Sequence, residues 1–232
     1  MPIGVPKVAY RLPGEAVPQW VDLYNRLYRE RVLFLGSTLD DELANQLNGI
    51  MLYLSQEDAT RRLFMYVNSL GGGVTAGLSV ADIMNYVGAD VTTIGLGFTA
   101  SMASFVLGNG QRGNRVLLVH CRVMIHQPQA GLNGQAGDVM LERAELIRLR
   151  KLVGVLYIDL TGQMKWVVER DLDRDTYMNA LESRKYGIID VVNASEPEIT
   201  RLYGEDGALR LKPNPYRWQT VTNQQGQLRK MG

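Results

Sequence analysis

The chain has one cysteine and two histidines among its 232 residues. A lone Cys121 excludes an internal disulfide and any cysteine-rich zinc site. His120 and His126 could hold a metal only with several carboxylates beside them, and no HExxH or comparable spacing exists. There is no excess charge of one sign: 25 Lys and Arg face 24 Asp and Glu, a formal net charge of +1. Nothing in that balance points to a nucleic acid or an anionic membrane surface as partner. Glycine is plentiful, but "NSLGGGVTAG" lacks the G-K-[ST] ending of a Walker motif and does not fit GxGxxG, so no ATP site is expected. Solenoid-type repeats are missing too. The opening "MPIGVPKVAYRLPG" has early prolines and no long apolar run, so it does not read as a secretory signal. One uncharged stretch, Val91 to Gln111, is just long enough to span a bilayer. Its four glycines, three threonines and two serines fit a buried strand and helix better, and a soluble protein is expected.

What is present is a globular composition, 46% hydrophobic and 21% charged, in a chain long enough for one self-sufficient core. "RVLFLG", "LFMYVN" and "VTTIGL" read as short buried strands, and "RVLLV", "RVMIH" and "IIDVV" extend the series. Between them, Leu43, Leu47, Ile50, Met51 and Leu54 fall on one helical face, with Asp40 or Asp41 as cap. Val80, Ile83, Met84 and Val87 give a second stripe, and Ser101 to Leu107 begins a third helix. Leu146, Leu149, Val153, Leu156 and Leu160 mark a long helix that ends at Gly162. Asn179 and Glu182 have capping-box spacing, with Gly187 just past the helix they open. Strands alternating with helices predict parallel pairing and an α/β fold. The pattern fades after Val192 into a polar stretch of about forty residues, read as an extension.

Chemistry has few places to sit. Ser101 lies in "FTASMASF", where small neighbours suit either a closely packed helix start or a nucleophile. His126 ends an apolar strand before Gln127–Pro128, a position that suits a general base or a purely structural imidazole. In "ERDLDRDTY" the alternating charges fit a solvated face, an inter-subunit ion-pair network, or a carboxylate orienting a histidine. The cluster alone does not choose among Asp171, Asp173 and Asp175. The glycines of "SLGGG" place bare N–H groups at a helix start, which suits a developing anion as well as a tight turn. Nucleophile, base, orienting carboxylate and oxyanion donors are therefore all in the inventory.

In order along the chain, "YNRLYRERVLFLG", "YVNSLGGGVTAGLSVADIMNY", "GFTASMAS", "RVMIHQP" and "ERDLDRDTYMNALESRKYGIIDVV" resemble the proteolytic subunits of the Clp protease, the ClpP family. The likeness runs from about Asp22 to Val192, and the N-terminal segments resemble the plastid-encoded type. It implies a crotonase-like α/β fold: a single domain with a protruding handle helix and strand, the latter in "QAGLNGQ". It divides the chain into an N-terminal axial segment (1–21), a serine peptidase domain (22–192) and a polar C-terminal extension (193–232). The family's catalytic triad falls on Ser101, His126 and Asp175, and its oxyanion donors on the N–H groups of Gly72 and Met102. An ATP-dependent endopeptidase of unfolded proteins is implied, in two stacked seven-membered rings of related ClpP- or ClpR-type subunits in the chloroplast stroma. An AAA+ Clp ATPase chaperone would use the ATP, so this chain itself would hold no cofactor and no metal. Asp173 and Arg174 match the ring-to-ring contact region. Phe64, Tyr66, Tyr86, Ile94, Leu96, Val116 and Leu118 match the clefts that receive the chaperone's loops, or else are ordinary core.

The chain departs from the family pattern at Leu70, where proline is usual, at Thr99, where a small apolar residue is usual, and at Cys121, where a polar one is usual. Leu70 is the departure that bears on activity. Two other readings follow from the same resemblance: a catalytically silent ClpR-like ring subunit, and an acyl-CoA hydratase or isomerase of the crotonase superfamily. The intact Ser/His/Asp set favours the peptidase over both.

Overall fold

The architecture is that of a computed structural model, which describes residues 4–11, 14, 17–131, 134–194, 202, 221–222 and 228–229. The chain forms two compact units, Met1–Asn193 and Ala194–Gly232. In the second, the described elements are two short antiparallel strands, β10 (Val221–Thr222) and β11 (Leu228–Arg229).

The first unit opens with an antiparallel hairpin, β1 (Lys7–Tyr10) and β2 (Gln19–Asp22). Asp22 then caps α1 (Leu23–Arg29) by accepting hydrogen bonds from the Tyr24 and Asn25 N–H groups. The hairpin and α1 are elements that the periodicity did not predict; each is too short and too exposed to leave a stripe. β3 (Val32–Leu35), β4 (Leu63–Ser69), β5 (Val91–Ala100), β6 (Arg115–Leu118) and β9 (Val191–Asn193) follow one another as parallel neighbours in a single sheet. The crossovers between them are helical, as parallel pairing requires.

α2 (Asp41–Glu57) starts where the Asp40 carboxylate accepts the Leu43 N–H at 2.8 Å. It buries Ala44, Leu47, Met51 and Leu54 and packs beside α3 (Val74–Tyr86). Each fully buried Leu or Met contributes about 1.5–3 kcal/mol. α4 (Met102–Gly108) is buried at every residue. It rests against α3 and the C-terminal half of α5 (Ala136–Thr161), the 26-residue helix that ends at Gly162 in the left-handed conformation. α6 (Lys165–Leu172) follows, then β8 (Thr176–Met178) and α7 (Ala180–Tyr186), whose Asn179–Glu182 capping box and Gly187 terminus are as the spacing predicts. Among the described residues no helix is long and apolar enough to cross a membrane, and Val91–Gln111 is β5 plus α4.

Two expectations need correction. The continuous apolar run "RVLFLG" and the segment "LFMYVN" suggest buried strands, but in the structure they alternate between faces. Leu33, Leu35, Leu63, Met65 and Val67 are fully buried, whereas Phe34 and Tyr66 lie on the opposite, partly open face. Phe34, Tyr66, Ile94 and Val116 are register partners in a row across four strands, and the Phe34 and Tyr66 rings stack at 5.5 Å. The handle strand in "QAGLNGQ" is not formed in its described residues, 129–131 and 134–135. An extended segment becomes a strand only beside a hydrogen-bonded neighbour, and among the described residues none pairs with it.

The strand that matters most is β5. Its first half pairs with β6 (Thr93–Gly95 against Arg115–Leu117) and its second half with β7 (Arg122–Ile125), through Phe98–Ala100 against Arg122–Met124. The switch occurs at Gly97, whose φ of +62° an L side chain rarely adopts. β7 in turn pairs antiparallel with β8. Three strand ends thus arrive side by side at one edge of the sheet.

Candidate active site

Those three strand ends carry the three residues singled out in the sequence. Ser101 directly follows β5, His126 directly follows β7, and Asp175 directly precedes β8. The register places Ala100 beside Met124 and Ile125 opposite Thr176, so each residue is one step beyond a paired position. Backbone pairing therefore closes sequence separations of 25 and 49 residues. The Ser101 Oγ lies 2.9 Å from His126 Nε2, and His126 Nδ1 lies 3.1 Å from an Asp175 carboxylate oxygen. With Nδ1 protonated toward Asp175, Nε2 is left as an acceptor for the serine proton.

Ser101 sits on a strained turn from strand to helix, at φ 54° and ψ −130°. This conformation is rare outside glycine. It is pinned by the Ser101 N–H donating to the Met124 carbonyl at 2.9 Å. Although Ser101 is the N-cap of α4, its hydroxyl makes no capping hydrogen bond and stays free for His126. His126 is held from the next residue: the Gln127 N–H donates to the Leu172 carbonyl at 2.6 Å and its side-chain amide to the Asp173 carbonyl at 2.9 Å. Thr176 Oγ1 closes the same loop on the Asp171 carbonyl at 2.7 Å. Of the three acidic candidates, only Asp175 reaches the imidazole; Asp173 pairs with Arg150 at 2.8 Å and Asp171 with Arg170 at 2.8 Å.

The glycine turn faces Ser101. Leu39 docks on it by donating to the Gly71 carbonyl at 2.9 Å and accepting from the Gly73 N–H at 2.8 Å. Both bonds of this parallel bridge use the residues flanking Gly72, so the Gly72 N–H is not spent on Leu39, and Gly72 lines the pocket. A Cβ on Gly71 would stand 2.6 Å from Ser101 Cβ and 3.0 Å from the Met102 nitrogen, so the turn lies close against the start of α4, where the first N–H groups have no partner within the helix. A Cβ on Gly72 would collide with the Leu39 carbonyl. The turn needs glycine for conformation as well as for approach, since Gly71 has φ +91°. Thr38, Leu70, Val74, Pro128 and Gln129 complete the walls of a cavity of about 310 Å³ around Ser101 and His126.

The departures from the family pattern are accommodated. At Leu70, which is exposed, the turn is held by Ser69, whose hydroxyl donates to the Ser37 carbonyl at 2.5 Å and accepts the Gly71 N–H at 3.1 Å. Thr99 is buried with its hydroxyl donating to the Val67 carbonyl at 3.2 Å. Cys121 is buried beside it, and burial pushes its thiol up to about 11, only partly opposed by the Thr99 hydrogen bond. Gly71, Leu39 and Gln127 are parts of the site that sequence reasoning did not single out. "SLGGG" contained the first of them, but nothing local signals that Leu39 or Gln127 serves it. Among the described residues no three His, Cys, Asp or Glu side chains are grouped to hold a metal ion.

A family model described as Clp protease matches residues 14–196. The chain is 71% identical over 196 residues to a protein of Ostreococcus tauri named ATP-dependent Clp protease proteolytic subunit, covering 84% of this chain and 98% of that one. Proteins of the same name from Oltmannsiellopsis viridis and Marchantia polymorpha are 59% and 52% identical. These matches cover 84% and 83% of this chain, and 100% and 95% of theirs.

Proposed function

The chain belongs to the Clp protease family, and from that premise we propose that it is an ATP-dependent serine endopeptidase subunit in which Ser101, His126 and Asp175 act as the catalytic triad. The observation that carries the reading is the continuous hydrogen-bonded path from Asp175 through His126 to the Ser101 hydroxyl, beside a glycine turn packed against Ser101. His126 Nε2 takes the Ser101 proton as Oγ bonds to the scissile carbonyl carbon. The oxygen anion that develops is met by the N–H groups of Gly72 and Met102. His126 then gives its proton to the leaving amine as the C–N bond breaks, leaving an acyl-enzyme on Ser101. Water attacks the ester, His126 takes its proton, and the acid product departs as Oγ is reprotonated. Asp175 holds the imidazole in the tautomer that these transfers need and stabilises its charged form.

The working assembly is two stacked seven-membered rings of this chain and related ClpP- or ClpR-type subunits, in the plastid stroma. Residues 1–21 line its axis, 22–192 form the peptidase domain and 193–232 an extension. Exposed Met140, Leu141 and Val155 on α5, with Asp173 and Arg174, supply a ring-to-ring surface. The aromatic row on the open sheet face, with exposed Phe64 and Tyr86, receives an AAA+ partner that unfolds protein substrates and hydrolyses the ATP. The chain itself uses no cofactor or metal.

The assembled protein is expected to cleave a short fluorogenic peptide without ATP, and to degrade a folded protein only with the partner ATPase and ATP. Ser101→Ala is expected to abolish both. Persistent cleavage by assembled Ser101→Ala would overturn the assignment.

A further inference from the structure

We propose that Ser104 and Tyr157 are positioning residues for this reaction, which together hold and polarise the Ser101–Met102 peptide so that its N–H is aimed at the developing oxyanion. The inference rests on the reading of Ser101 as nucleophile.

Neither residue belongs to the triad, and both are sealed from solvent, Ser104 at 0% and Tyr157 at 2% exposure. Hydroxyls at such depth are unfavourable unless paired. These two are paired with each other, Ser104 Oγ lying 2.8 Å from the Tyr157 hydroxyl. Ser104 donates its proton to the Ser101 carbonyl at 2.6 Å, so the Tyr157 proton goes to Ser104 Oγ. The Tyr157 hydroxyl also stands 3.4 Å from the Ser101 carbonyl, close enough to take over directly. Burial raises the Tyr157 pKa, keeping it a proton donor at any pH where the protein works. The result is a relay, Tyr157 to Ser104 to the Ser101 carbonyl, added to the ordinary Ser104 N–H bond to the same oxygen at 3.0 Å.

A carbonyl so heavily coordinated fixes more than itself. The peptide unit is planar and trans, so holding the Ser101 oxygen on the α4–α5 side sets the Met102 N–H on the opposite side, toward the Gly71 turn. Donation into the carbonyl also polarises the unit and strengthens its N–H as a donor. The relay further anchors Ser101 at its strained φ of 54°. Packing alone does not call for the hydroxyls: the Phe105–Tyr157 edge contact at 5.7 Å is equally available to a phenylalanine, and alanine fits where Ser104 stands.

The test is steady-state peptide hydrolysis by the assembled wild type, Ser101→Ala, Ser104→Ala, Tyr157→Phe and the double variant, with assembly and melting measured in parallel. In Ser104→Ala the tyrosine reaches the carbonyl itself, and in Tyr157→Phe the serine still donates. Each single change is therefore expected to lower kcat only about threefold. The double change removes both donors and is expected to lower kcat about 30-fold, more than the product of the singles, with KM within about twofold. That split is the signature of an interaction made with the transition state, which a merely structural pair would not produce. A double variant that keeps wild-type kcat, or loses activity only through KM, overturns the proposal while Ser101-dependent turnover in the wild type still stands. If the double variant does not assemble, the singles decide: unchanged kcat in both overturns the proposal, and a kcat loss at constant KM supports it. A wild type without Ser101-dependent turnover overturns the reading of the nucleophile and this proposal together.

Discussion

Replacing Gly71 by alanine adds one methyl group at the tightest point of the site. The added Cβ would meet Ser101 Cβ at 2.6 Å, the Ala100 carbonyl at 2.7 Å and the Met102 nitrogen at 3.0 Å. Ordinary contact distances need a displacement of about 1 Å between the glycine turn and the Ser101 turn, and a shift of that size costs about 10²-fold in rate. The same movement draws the Gly72 and Met102 donors apart, and loss of one oxyanion donor costs about 10²–10³-fold in kcat. Alanine at a φ of +91° adds about 1–2 kcal/mol of backbone strain. We expect Gly71→Ala to lose about 10²–10³-fold in kcat/KM and about 2–4 kcal/mol of stability. The assay is peptide hydrolysis by assembled protein, with thermal melting beside it. Gly49→Ala is the control: it lies inside α2, its Cβ meets nothing within 4 Å, and it should leave activity unchanged and stability equal or better. Activity of Gly71→Ala within about threefold of wild type would refute the close approach on which the site is built.

Asp175→Asn should lower kcat by about 10²–10³-fold with little effect on KM, less than for a buried triad carboxylate, because the Asp175 side chain is 55% exposed and water can partly replace it; a loss below about fivefold would contradict its role. Asp190 receives the Arg115 guanidinium at 2.6 and 2.8 Å, and although burial opposes it, the Arg115 and Gly113 hydrogen bonds hold its carboxyl below the ordinary range. A depressed pKa means the stabilisation is complete above the unfolded-state value of about 3.9 and is lost as pH falls through the lower folded value. Asp190→Asn strands a buried Arg115 and should cost about 3–5 kcal/mol near neutral pH while flattening the acid limb of the melting curve, and an unchanged acid limb would contradict this. With its thiol pushed up to about 11 and its side chain buried, Cys121 should resist iodoacetamide at pH 8 in the folded assembly and react after unfolding; equal rates in both states would refute its burial.

Local chemistry made several elements legible in advance. The Asp40 cap, the Asn179–Glu182 box and the glycines at 162 and 187 are encoded within a few residues, and the structure uses all of them. Ser101 is visible as a candidate from the small residues around it, and His126 as one of two histidines, placed at the end of an apolar strand. The choice of Asp175 over Asp171 and Asp173 needed either a family resemblance or the β7–β8 register, which places residue 175 opposite 126. Features made by distant pairs left no trace in the sequence. The alternation of "RVLFLG" and "LFMYVN" was hidden because the open face is itself aromatic. Ser104 looked like one more small residue in a packed helix start, since its partner Tyr157 lies 53 residues away.

The most direct test of the account is to react the assembled protein with a fluorophosphonate and locate the adduct by peptide mass spectrometry, in wild type and in His126→Ala. The account predicts one adduct per chain, on Ser101, and its loss in His126→Ala. An adduct on another serine, or labelling of Ser101 that survives without His126, would contradict an activated Ser101.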